Sequence, residues 1–378
     1  MNKKGFAIST MLYGLIFVTL AVFYLILAVV LSVPVIGTDQ SFRISAEAAV
    51  LVDAEDGFVL FARGADQRMQ PASMTKIMTA LVVIENCGMD EKVTVGAKCV
   101  GVEGSSAYLQ AGEVFTVSEL LYALLLQSAN DAAVALAYHT SGSLDAFVSL
   151  MNEKAAELGL TGTHFTNPHG LANKDHYGTA LDFARLLCCC MKDPVFRQIS
   201  GTVQYVIKPD ENRRGRCFTN HNRLLYTCDG VIGGKTGYTL SSGRCLCSYY
   251  EKDGVSLCAV TMNAPRDWAD HAALYEYGAS KYTKITLDTK GVYSLHVVGG
   301  ITDHTECTVG ENVTVTVRGG ADAVEKTVYM RRFEYAPVEA GKKIGELVFS
   351  SGGKVIYTHP LYADYKAEAV KDRFKWKK

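Results

Sequence analysis

The chain has no surplus of either charge: 38 Lys+Arg stand against 39 Asp+Glu in 378 residues. A concentrated basic face of the kind that grips nucleic acid is therefore absent, and no nucleic-acid partner is expected. There is no Cys-x-x-Cys pair, although there are 11 cysteines. That number is odd, three are consecutive at Cys188-Cys189-Cys190, and Cys245 and Cys247 alternate as strand residues facing one way. The histidines show no metal-ligand spacing either. No metal and no cofactor are expected, and the cysteines read as small apolar residues. Charge is wholly missing from Gly5 to Thr38, and Met11 to Val35 is almost entirely apolar. Such a run crosses a bilayer as a helix and exceeds the usual signal-peptide core. Lys3 and Lys4 before it, with Asp39 and Glu47 after it, hold the start in the cytoplasm and export the rest. A clear small-x-small cleavage site is lacking too, Ser32-Val-Pro-Val-Ile-Gly37 being only a loose fit. Residues 1–40 are thus expected to be an uncleaved single-pass membrane anchor; cleavage would make the protein a secreted one. Free cysteines on an exported domain point to a poorly oxidising habitat.

What is present suffices for two domains and a substantial core. Residues 48–63 read as a hairpin turning at Glu55-Asp-Gly57. A helix is predicted from Ser73 through Ile84, and another from the possible capping box Thr116-Val-Ser-Glu119, running on to deliver Ser128 and Asn130 at its end. Helical periodicity continues over 132–138, 144–158 and 179–191. Residues 202–208 alternate as a strand; 232–250 and 255–262 pair across the turn 251–254; residues 270–282 close the domain as a helix. After Lys284 the composition shifts to Val, Thr and Gly. Short alternating runs at 292–298, 312–317, 327–331 and 343–349 are separated by turns such as Arg318-Gly-Gly320. This reads as a small all-β domain without a catalytic cluster, followed by a basic tail, 366–378, which we read as solvated.

The chemistry concentrates at Pro71-Ala-Ser-Met-Thr-Lys76. A serine and a lysine three apart share one helix face. Near a helix N-terminus the unpaired N–H groups favour developing negative charge, and a buried lysine of lowered pKa can take the serine's proton. One Ser-x-x-Lys is common by chance. Here it is followed in order by Ser128-Ala-Asn130 and by Lys235-Thr-Gly237, the three motifs of the active-site serine penicillin-recognising enzymes. With Thr163–Leu171, Asp175–Ala184 and Asn220-His-Asn-Arg-Leu-Leu225, the chain resembles the serine-type D-alanyl-D-alanine carboxypeptidases, the low-molecular-mass penicillin-binding proteins. The resemblance spans about residues 44 to 366.

The resemblance implies an α/β fold: a β-lactamase/transpeptidase-like catalytic domain over 44–283, an antiparallel sheet flanked by helices, then the all-β domain over 285–365. The substrate it implies is a peptidoglycan stem peptide ending in D-Ala-D-Ala, with β-lactams as covalent inhibitors. Ser73 would be the nucleophile, Lys76 its base and Ser128 the relay to the leaving amine. Asn130 would hold the substrate amide and Lys76, while Lys235 would keep Lys76 neutral by repulsion and attract the substrate carboxylate. Thr236 would bind that carboxylate, Gly237 would let the substrate lie close, and the N–H groups of Ser73 and Tyr238 would form the oxyanion hole. Arg266 or His271 could supply a bidentate partner for the carboxylate; the sequence does not choose. His169, in the Asn-Pro-His-Gly turn, reads as a residue that shapes the cleft rather than as a base. A class A β-lactamase would need a water-positioning glutamate where this turn stands. The sequence does not separate an endopeptidase or a transpeptidase from a carboxypeptidase, while the intact Lys76, Ser128 and Lys235 argue against an inactive penicillin-binding sensor.

Overall fold

The computed structural model describes residues 43–370 except residues 212 and 320–323. The expected anchor and the tail beyond residue 370 lie outside the described residues. Among those described, no helix is long and apolar enough to cross a membrane. The described residues divide into two compact units, the first ending at Lys252 and resuming over Ser256–Gly278, the second made of Asp253–Val255 and the residues from Ala279 on.

The first unit is built on a five-stranded antiparallel sheet in the order β2-β1-β9-β8-β7. Its strands are β1 (Ala48–Asp53), β2 (Val59–Arg63), β7 (Val231–Thr239), β8 (Gly243–Lys252) and β9 (Val255–Met262). β1, Ala-Ala-Val-Leu-Val-Asp, is buried at all six positions, as a central strand covered on both faces must be. Two short ribbons, β3 (Lys92–Thr94) with β4 (Val114–Thr116) and β5 (Gln204–Ile207) with β6 (Arg216–Thr219), lie apart from it.

The helices are α1 (Lys76–Asn86), α2 (Val117–Leu125), α3 (Asn130–Ser141), α4 (Leu144–Glu157), α5 (Ala180–Cys190), α6 (Pro194–Gly201), α7 (Leu224–Thr227) and α8 (Asp267–Ala279). α1 is buried from Lys76 to Val83, so its first residue, a lysine, is enclosed with the apolar residues that follow it. α2 opens on the reciprocal Thr116–Glu119 capping box that the sequence predicts.

Two expectations are corrected. The helix beginning at Thr116 does not run on to Asn130: α2 stops at Leu125, Ser128 takes a left-handed φ of +59°, and Asn130 opens α3. Residues 232–250 are not one arm but two strands, folded back at Leu240–Ser242 so that Tyr238 pairs with Arg244.

The second unit is all β: β10 (Tyr282–Leu287), β11 (Gly291–Val298), β12 (His304–Val309), β13 (Val313–Arg318), β14 (Glu325–Met330), β15 (Glu334–Tyr335), β16 (Lys343–Ser351) and β17 (Lys354–Tyr362). β10 pairs with β13, β11 lies between β12 and β15, and β16 lies between β14 and β17. Leu295, Val297, Leu347, Phe349 and Leu361 are among the residues of its own small core.

Candidate active site

The nucleophile turn is a single 3₁₀ turn, Ala72–Thr75, and α1 begins only at Lys76. Ala72 has φ +48°, a conformation alanine adopts at a cost, and several groups hold it there. Thr75 Oγ1 donates to Ala72 O at 2.8 Å and lies 2.8 Å from His176 Nε2. Thr166 N donates to His176 Nδ1 at 3.1 Å, so His176 carries its proton on Nε2 and donates it to Thr75. Burial pushes His176 down to about 4, which keeps it neutral. Gly170, at φ +88°, lies so close that a Cβ there would stand 1.9 Å from Ala72 O.

Lys76 is fully buried. Its Nζ lies within hydrogen-bond reach of three oxygens: Ser73 Oγ at 3.0 Å, Asn130 Oδ1 at 2.6 Å and His169 O at 2.7 Å. Burial first, and the charge of Lys235 second, hold its amine well below the usual lysine range against an opposite pull from Asp131. The repulsion anticipated from Lys235 is thus the lesser cause.

His169 meets Lys76 through its backbone carbonyl; burial and the Lys76 charge push its ring down to about 3. Asn130, at the first position of α3, also donates from Nδ2 to Glu103 O at 2.5 Å. Its neighbour Asp131 is buried and ties down the preceding loop. It accepts from Ala107 N and Leu109 N at 3.0 Å and from Ser106 Oγ at 2.6 Å.

Ser73, Ser105, Ser128, His221, Thr236, Gly237, Tyr238, Arg244, Asp267 and Trp268 line one cleft. β7 is an edge strand of the sheet, and Lys235, 1% exposed, sits beneath it with Nζ donating to Thr236 O at 2.9 Å. Burial pushes its amine down to about 7. Gly237 also lies close against another part of the chain. A Cβ there would meet Pro71 O at 3.0 Å and Ser73 N at 3.1 Å, so the glycine lets β7 lie against the nucleophile turn.

The two residues left open for the carboxylate fare differently from Arg244. His271 is buried between Ser248 Oγ (2.6 Å) and Thr261 Oγ1 (3.0 Å), and burial holds it near 3. Arg266 is exposed and does not line the cleft. Arg244 does. Its Nε donates to buried Asp267 Oδ1 at 3.0 Å, and its guanidinium lies 5.4 Å from the Trp268 ring centroid. The sequence reading missed it because the turn at Leu240–Ser242 was read as strand.

All 11 cysteines are free, six of them buried; burial raises the thiols of Cys190, Cys247 and Cys258 well above the ordinary value.

Comparison with known proteins follows this geometry. The sequence pattern of the family described as D-alanyl-D-alanine carboxypeptidase matches residues 35–266, and that of the penicillin-binding protein 5 C-terminal domain matches residues 282–369. The chain is 33% identical over 330 residues to the D-alanyl-D-alanine carboxypeptidase DacF of Bacillus subtilis, covering 84% of this chain and 85% of that one. Penicillin-binding protein 5 of Haemophilus influenzae superposes with a TM-score of 0.63 at 27% identity, covering 86% of this chain and 98% of that one. The Streptomyces K15 DD-transpeptidase superposes with a TM-score of 0.61 at 31% identity, covering 63% of this chain and 98% of that one.

Proposed function

The chain belongs to the D-alanyl-D-alanine carboxypeptidase family, and on that premise we propose how its residues divide the work. The protein is a serine-type D-Ala-D-Ala carboxypeptidase. Its substrate in this reading is a peptidoglycan stem peptide, and β-lactams acylate the same serine.

The observation that carries the reading is the triple contact of Lys76 Nζ. A neutral amine has two N–H groups, and Asn130 Oδ1 and His169 O can only accept. The lone pair then falls on Ser73 Oγ, whose proton Lys76 takes as Oγ attacks the carbonyl of the penultimate D-alanine. The oxyanion accepts from Ser73 N and Tyr238 N. As the tetrahedral adduct collapses, the C–N bond breaks. Ser128 hands its proton to the leaving amine and is resupplied from Lys76. Water then attacks the ester, Lys76 again taking a proton, and Ser73 is regenerated.

The open edge of β7 suits an extended peptide added as a further strand. Thr236, Lys235 and Arg244 would bind its terminal carboxylate. Asp267 occupies Arg244 Nε, which leaves the guanidinium NH groups for a bidentate pair. The Asn167-Pro-His-Gly170 turn brings no carboxylate to position a deacylating water, which disfavours the class A β-lactamase reading. We further propose that residues 1–40 anchor the chain in the membrane with residues 44–283 outside as the catalytic domain and 285–365 as a separate β-domain. The uncharged run Gly5–Thr38 supports the anchor.

The test is D-alanine release from a peptide ending in D-Ala-D-Ala by the full chain and by Ser73→Ala. Release that needs Ser73 and stops on penicillin acylation is expected. Stable penicillin labelling with no release would move the assignment to a transpeptidase or endopeptidase, and rapid penicillin turnover to a β-lactamase.

A further inference from the structure

Away from the cleft, three side chains from separate places in the sequence converge on one point. Cys87 is the C-cap of α1, Glu91 follows the turn after it, and His139 lies in the last turn of α3. Cys87 Sγ, a Glu91 carboxylate oxygen and a His139 ring nitrogen all lie within 4.8 Å of one another. His139 Nε2 is 2.9 Å from Glu91 Oε2, Gly88 N donates to Glu91 Oε1 at 2.6 Å, and Cys87 Sγ is 3.3 Å from Thr140 Oγ1. The sequence offers no sign of this cluster, because its members are 4 and 48 residues apart and come together only through the packing of α1 beside α3.

A cysteine, a histidine and a carboxylate so arranged also form a nucleophilic triad in other proteins, but not in this order. A triad needs the imidazole between thiol and carboxylate, one nitrogen to each. Here the hydrogen-bond partner of Cys87 Sγ is Thr140 Oγ1 and not the ring, and burial raises the Cys87 thiol rather than lowering it. Three donor atoms facing one shared point suit a cation instead.

We propose that Cys87, Glu91 and His139 form a binding site for a borderline-soft divalent cation, zinc being the best match. Thiolate, imidazole and carboxylate are its three protein ligand types, and bonds of about 2.0–2.3 Å bring such ligands to about 3.3–3.7 Å from one another. The three atoms now lie within 4.8 Å of one another, so their side chains must rotate to reach that spacing. On binding, the thiol releases one proton to solvent and the imidazole moves its proton from Nε2 to Nδ1. Nε2 and Oε2 exchange their hydrogen bond for two bonds to the ion. Glu91 is exposed, which leaves the fourth position to water.

The place gives the site a role. Lys76 and Asn130, the first residues of α1 and α3, are joined at 2.6 Å in the active site. Cys87 and His139 stand on the same two helices about 16 Å further along α1, at 1.5 Å per residue. A metal there staples the far ends of the helices whose near ends hold the catalytic lysine. This inference does not depend on the proposed function.

The test is titration of the metal-free full chain with zinc against a chromophoric chelator, with cobalt as spectroscopic probe. One ion per chain is expected, with a Kd of about 1 μM or tighter and a melting temperature raised by roughly 5 °C at a hundredfold excess over Kd. Cys87→Ser and His139→Gln should each weaken binding by roughly a hundredfold, on the scale of lost ligation. The sulfur-to-cobalt charge-transfer band should vanish in Cys87→Ser and persist when exposed Cys217 is replaced by serine. Penicillin labelling of Ser73 reports that the variants fold. Should one misfold, zinc protection of Cys87 from alkylation in the unmutated chain, read by peptide mass spectrometry, decides instead. Absence of stoichiometric zinc, equal binding by the Cys87→Ser and His139→Gln chains, or an unprotected Cys87 overturns the proposal.

Discussion

At the residue scale the site turns on two lysines that lack water. Burial depresses Lys76, as its proposed role as base requires; Lys235, which we propose attracts the carboxylate, is brought by burial to about 7. In that reading Lys235 is protonated below pH 7 and holds the ligand's carboxylate, and above it that attraction fades. Acylation of Ser73 by a β-lactam bearing a free carboxylate should therefore slow as pH rises through about 7. The methyl ester of the same compound should show no such decline. Equal alkaline behaviour of acid and ester would remove Lys235 from carboxylate binding. Arg244→Ala should raise KM for the D-Ala-D-Ala peptide roughly 10–100-fold with kcat little changed, the scale of a charge-assisted hydrogen bond. Asp267→Asn, which takes the charge from the partner that orients the guanidinium, should cost roughly threefold to tenfold. A loss confined to kcat would place Arg244 elsewhere in the cycle.

At the scale of elements, the site depends on turns held in conformations that side chains usually avoid. Gly170→Ala drives a Cβ into Ala72 O and should displace Ser73, cutting penicillin acylation by more than roughly a hundredfold. Gly112→Ala is the control, at φ +89° with nothing within 4 Å. It should cost about 1 kcal/mol of stability and leave acylation intact. If both variants acylate normally, the Gly170 contact has no part in placing the serine. The hairpin, the capping box, the three motifs and the trailing β-strands were legible because each is local: a period of two, a Thr-x-x-Glu, a Ser-x-x-Lys. The break between α2 and α3 was hidden, since apolar residues continue on both sides and a serine, not Gly or Pro, takes the left-handed turn. Arg244 was hidden for a related reason. Its place opposite Tyr238 exists only once Leu240–Ser242 is a turn. His176 reaches the nucleophile turn from 101 residues away, a contact no pattern announces.

At the scale of the molecule the two units invite separation. A Streptomyces transpeptidase is spanned over 98% of its length by 63% of this chain, a share close to that of the first unit. A chain ending after Ala279 should keep kcat/KM on a small soluble peptide within about threefold, whereas deletion of residues 1–38 should release the protein from the membrane fraction. Collapse of the first, or continued sedimentation of the second, would refute the corresponding domain assignment. The last consequence comes from how scattered the parts of the cleft are. Lys76 draws its three contacts from residues 3, 54 and 93 positions away, and the cleft wall reaches Trp268. No fragment emerging from the ribosome contains a working site until nearly the whole first unit has been made. A fluorescent β-lactam added during synthesis and export would therefore act as a clock, marking each molecule only once its first unit has folded.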